Sequence, residues 1–71
     1  MNAINPGKLH HSKWTAAQPR HKEKHFLVTQ LLRDEEDNVV EVILEAVYTH
    51  REATLPWQAL KDDGTWLMGW R

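Results

Sequence analysis

Five consecutive polar residues, Asp34-Glu35-Glu36-Asp37-Asn38, separate two runs of β-forming side chains, and no other feature constrains the chain as strongly. Upstream, an extended chain over residues 25–33 places Phe26, Val28 and Leu32 on one face and Leu27 and Leu31 on the other. Downstream, residues 39–49 alternate: Val40, Val42, Leu44, Ala46 and Tyr48 face one way. Glu41 and Glu45 face the other, among Val39, Ile43 and Val47. A helix competes for this second run, because apolar residues also recur there at spacings of three and four. Val39, Val40, Val42, Ile43 and Val47 are β-branched, stiff at χ1, and favour the pleated chain. The two runs and the polar turn between them predict a hairpin.

The remaining segments are short. Residues 12–18 form a first strand, with Trp14 and Ala16 on one face, and residues 19–24 a charged loop. A tight turn near Thr49-His50 leads into a strand over residues 51–55. Pro56 lacks an N–H to donate to a ladder, so it ends that strand and opens a helical turn through Trp57-Gln58-Ala59-Leu60. Asp62-Asp63-Gly64 is another turn. Residues 65–70 make a last strand with Trp66, Met68 and Trp70 on a single face. Residues 1–11, broken by Pro6-Gly7, read as a flexible arm, and residues 12–71 as a single small β-barrel domain. No helix is long enough to cover a flat sheet, so the sheet must curl on itself. The expected fold is mainly β: a small five-stranded SH3-like barrel with one short helical turn before the last strand, an OB-like barrel being the alternative.

A chain of 71 residues buries only about 60% of the surface its unfolded form exposes, so large rings are an economical core filler. There are four tryptophans against one Phe and one Tyr. The absence of cysteine excludes a disulfide framework, thiol chemistry and Cys-based zinc sites, and fits a reducing, cytoplasmic setting. Neither a signal-peptide pattern nor an apolar run of membrane-spanning length is present. Charge is uneven. Residues 1–30 hold Lys8, Lys13, Arg20, Lys22 and Lys24 against Glu23, whereas residues 31–63 hold nine acids against Arg33, Arg51 and Lys61. Such asymmetry marks either an interaction arm or opposite-sign segments lying side by side.

No catalytic constellation is legible. Ser12 is the only serine and has no glycine elbow around it, and the carboxylates of residues 34–37 and 62–63 read as exposed turns. Gly7, Gly64 and Gly69 are isolated, so no phosphate-cradling loop exists. His21 and His25 have helical metal-ligand spacing, but Pro19 and the strand-like run from His25 disfavour the helix. His10, His11, His21 and His25 therefore read as solvated histidines, with no metal and no cofactor expected.

The tryptophans carry the functional expectation. Trp66 and Trp70 read as buried. Trp57, on the helical turn, and Trp14, beside Lys13, are the candidates for partial exposure, with Trp57 the most exposed of the four. Two binding modes follow. The first is a non-catalytic interaction module that binds an unidentified protein or peptide through part-exposed tryptophan. The alternative is single-stranded nucleic-acid binding, with Trp14 stacking among Lys13, Arg20, Lys22 and Lys24. The expected state is a monomer or weak homodimer, with no membrane partner.

Several stretches also resemble a known family. Asn5-Pro6 with Lys8-Leu9, Ser12-Lys13-Trp14-Thr15-Ala16, Lys22-Glu23-Lys24-His25-Phe26 with Val28-Thr29, and Leu44-Glu45-Ala46-Val47 carry the likeness. So do Arg51-Glu52, Trp57, Trp66 and Gly69-Trp70. Together they resemble a small tryptophan-rich family of bacterial proteins. The resemblance spans nearly the whole chain, but the family has no assigned activity and no catalytic residues to carry over.

Overall fold

In the computed structural model, which describes residues 1–71, the central hairpin forms as its sequence predicts. Asp34 closes it: its Oδ1 accepts from Glu36 N and Asn38 N, each at 2.9 Å, and its own N–H donates to Asn38 O at 2.9 Å. The strands are β1 (Lys13–Arg20), β2 (Glu23–Arg33), β3 (Val39–Ala46), β4 (Glu52–Pro56) and β5 (Trp66–Met68). Short 3₁₀ turns span Pro6–Lys8 and Trp57–Lys61, the second being the helical turn expected after Pro56. All five strands belong to one antiparallel sheet in the order β4-β3-β2-β1-β5. The edge strands β4 and β5 do not pair, so the ladder stays open and does not close into the expected barrel.

Register explains the core. Trp14 lies opposite Phe26 and Met68, Phe26 opposite Ala46, and Val28 opposite Leu44, so these side chains share one face. A bulge near Thr29 inserts an extra residue into β2 and reverses its parity. Leu31 consequently joins Phe26 and Val28 on the core face, where simple alternation had placed Leu32. Trp14, Val28, Val42, Leu44, Leu9 and Leu60 form the buried cluster.

Leu9 and Leu60 come from outside the sheet. The segment expected as a flexible arm packs on it: Leu9 is buried, Ile4 lies against the core, and His11 N donates to Val28 O at 2.9 Å. Asn2 ties this segment to the far end of the chain, its Nδ2 donating to Leu60 O and Trp66 O at 2.8 Å each. The N-terminal segment and the 57–61 turn thus cover one end of the core face.

Two further expectations change. The charged loop at residues 19–24 is a two-residue hairpin turn, with Arg20 paired to Glu23 and both His21 (φ 54°) and Lys22 (φ 63°) left-handed. Both central φ values are positive, as in a type I′ turn, yet neither residue is the Asn or Gly that such turns favour. Strand β3 ends at Ala46, not Thr49. Ala46 N donates to Arg51 O at 2.9 Å and His50 N to Ala46 O at 2.7 Å, which makes residues 47–50 the loop. Val47 and Tyr48 are therefore exposed, as is Val40 at the other end of β3.

Candidate functional site

The core face is covered at one end and open at the other. At the open end a cleft of about 520 Å³ is lined by Ala16, Gln18, Arg20, Phe26, Thr65 and Trp66, among others. Alternation from Trp14 places Ala16, and its partner Trp66, on the core face together with Phe26. Phe26 and Trp66 meet edge to face, with ring centroids 5.1 Å apart and planes at 90°, and form an aromatic wall. The sheet curls enough that a second lobe of about 320 Å³ is lined by both edge strands, by Glu52 and Ala53 of β4 and Trp66 of β5. The cleft therefore occupies the seam that a closed barrel would have sealed.

A buried carboxylate, Glu23, pairs with the exposed Arg51 beside the cleft. Glu23 is 5% exposed and accepts from Arg51 Nε at 3.1 Å, from Arg51 NH2, and from Thr49 Oγ1 at 2.5 Å. The Arg51 hydrogen bonds, followed by the one from Thr49, hold the Glu23 carboxyl below its ordinary range against the opposing effect of burial. Arg51 is raised in turn by Glu23. Glu23 is thus a carboxylate held in its ionised form by these bonds, and it clamps the start of β2 to Thr49 and Arg51. Arg20 also lines the cleft and makes no ion pair, which leaves its guanidinium free at the rim.

A family model described as "Tryptophan-rich protein (DUF2389)" matches residues 12–71. The chain belongs to this family. The matched span takes in all four tryptophans and every residue of the cleft, and leaves out Ile4 and Leu9 of the covering segment. No curated protein and no solved structure matches the chain.

The fold distributes the sequence-predicted site residues over separate places. Trp14, a candidate for partial exposure in the sequence, is 1% exposed, and its Nε1 donates to Ser12 Oγ at 2.8 Å. It is buried because β1 is an interior strand, with β2 on one side and β5 on the other. Trp57 is half-buried against the core with Lys61 Nζ 4.8 Å above its ring, so it is not the most exposed indole. That position belongs to Trp70, which is 44% exposed and was expected to be buried. Strand β5 stops at Met68, and Gly69 at φ 79° turns the chain out of strand alternation.

Trp70 then crosses to the opposite face, where Lys13 Nζ sits 4.8 Å over its ring and His25 packs 5.9 Å away. Its Nε1 donates to Phe26 O at 2.9 Å, while Thr15 Oγ1 donates to Gly69 O at 2.7 Å. Of the cations, Arg20 reaches the cleft. Lys22 and Lys24 line a separate hollow with His25, Val47 and Tyr48. Phe26, Trp66 and the Glu23–Arg51 pair were not anticipated as a site. The sequence signals for them were the alternations that put Phe26 with Val28 on one face and Trp66 on an inward face.

Proposed function

We propose that this domain is a non-catalytic interaction module that takes an extended segment of a partner protein in the cleft. The observation that carries the reading is the joining of an aromatic wall, Phe26 and Trp66, to the unpaired guanidinium of Arg20 in one concave site. Such a site suits an aliphatic side chain beside a carboxylate: the rings take the apolar group and the guanidinium the acid. A cytoplasmic setting, where a cysteine-free domain of this kind works without oxidation, belongs to the same reading. The test is a tryptophan-fluorescence titration with a short capped peptide that alternates valine and threonine and carries one aspartate on its valine face. Binding should weaken when that aspartate is replaced by lysine, and again in the Arg20→Glu protein. Equal affinity across all three arms refutes the cleft as the binding site.

A second reading has its own support on the opposite face. Trp70 (44% exposed) and Tyr48 (71% exposed) flank His25, with Lys13, Lys22 and Lys24 around them. Two exposed rings among cations are what stacking of single-stranded bases needs, and Trp70 takes the place first given to Trp14. This mode predicts Trp70-dependent quenching by oligothymidylate, with affinity falling as salt rises. Salt-independent or absent quenching removes it.

A further inference from the structure

The two edges of the open sheet differ in their backbone hydrogen bonding. On β5 the outward groups belong to Trp66 and Met68, because Ala17 N donates to Thr65 O and Gly69 N to Lys13 O. Three of those four groups are already taken. Trp66 N donates to Asp62 O at 2.8 Å, Trp66 O accepts from Asn2 Nδ2 at 2.8 Å, and Met68 O accepts from Arg71 Nε at 3.2 Å. On β4 the bond from Ala46 N to Arg51 O fixes the alternation, so Ala53 and Leu55 turn their backbone groups to β3. Glu52 and Thr54 turn theirs outward, and nothing bonds to them. Pro56, also at an outward position, is placed where a residue without N–H belongs on an edge strand. One edge is capped by its own chain and the other presents a free ladder.

That free ladder borders the cleft: Glu52 and Ala53 of β4 line its second lobe, with Trp66 on the far side. We propose that β4 is a docking edge on which an extended segment of a partner protein adds as a sixth strand, filling the seam between β4 and β5. The proposal rests on the cleft-binding reading above and specifies how the segment is held. Backbone groups of the segment pair with Glu52 N–H and C=O, Thr54 N–H and C=O, and Pro56 C=O. Side chains of an added strand alternate between faces. Those on the cleft face meet Ala53, Phe26 and Trp66 and are aliphatic, with a carboxylate reaching Arg20 or the exposed side of Arg51. Those on the other face lie beside Glu52 and Thr54, so they are hydroxyl-bearing or basic and not acidic, since like charges directly opposed across strands are unfavourable.

The experiment uses the intact chain and the same valine–threonine–aspartate peptide, followed by backbone amide hydrogen exchange. A second peptide carries N-methyl groups at the amides directed to β4. The expected result is exchange at Glu52 and Thr54 slowed at least tenfold by saturating peptide. The N-methylated peptide should bind at least tenfold more weakly, because the three hydrogen bonds to the C=O groups of Glu52, Thr54 and Pro56, each of ordinary net strength, are lost. If the peptide perturbs Trp66 but leaves both amides exchanging freely, the docking edge is wrong while the cleft reading stands. If no peptide perturbs Trp66, both are wrong. Protection of the same amides that rises with protein concentration alone assigns the edge to a second copy of this chain and overturns the proposal.

Discussion

Removing the Trp14 ring tests the packing argument where it is most exposed to error. Trp14 is the largest fully buried side chain, one of six residues in the core cluster, and the only one of the four indoles with no exposed surface to speak of. Truncation to alanine deletes the ring, opens a cavity between the sheet and Leu9, and strands the Ser12 hydroxyl. Losses of this type run to about 3–5 kcal/mol, against a total for a small domain near ~5 kcal/mol. Trp70→Ala removes a half-exposed ring and one hydrogen bond to Phe26 O, about 1–2 kcal/mol. With a urea m-value near 1 kcal/mol/M for a chain this small, the midpoint should fall by about 3–5 M for Trp14→Ala and about 1–2 M for Trp70→Ala. Far-UV circular dichroism in urea reads both. A Trp14→Ala protein as stable as the parent, beside a Trp70→Ala protein that does not fold, would refute the reasoning.

Three other outcomes follow from named contacts. Glu23 has its folded-state pKa lowered, so its contribution is present above the unfolded carboxylate value of about 4.3 and is lost as pH falls through the lower folded value. Melting temperature should drop over that acid window, and Glu23→Gln should be less stable at neutral pH with a shallower acid slope; identical slopes contradict the clamp. In the β1–β2 turn, the His21→Asn/Lys22→Gly double variant relieves two left-handed side-chain residues, and stability should rise by several tenths to about 1 kcal/mol in urea melts. Gly69→Ala strains φ 79°, so it should free Trp70 from Lys13 and red-shift its fluorescence while leaving the core strands protected from exchange.

Local pattern determined the strands well and the faces less well. The Asp34–Asn38 turn, the β-branched run at 39–46 and Pro56 each act through neighbours in sequence, so the hairpin, the strand before Pro56 and the 3₁₀ turn were all legible, but not that the sheet stays open at that strand. The bulge at Thr29 was not, because nothing in the residue itself forces an extra position into β2. Its effect was to exchange Leu31 for Leu32 on the core face. Trp14 and Trp70 were assigned to the wrong environments for one reason. Burial depends on which strand is interior and where β5 stops, and both depend on pairing between residues more than fifty positions apart. The cleft was hidden in the same way. Arg51 reaches Glu23 across 28 positions, and Trp66 meets Phe26 only because β5 pairs with β1.

The four indole N–H groups make the most direct measurement possible, since each gives one resolved cross-peak in a ¹⁵N–¹H spectrum and each sits in a different part of the fold. Saturation with the valine–threonine–aspartate peptide should move the indole signal of Trp66, which lies on the cleft wall. Trp14 in the core and Trp70 on the opposite face should keep their positions. A titration in which Trp70 moves and Trp66 stays fixed would place the binding surface on the Lys13–His25 face and rule out the cleft.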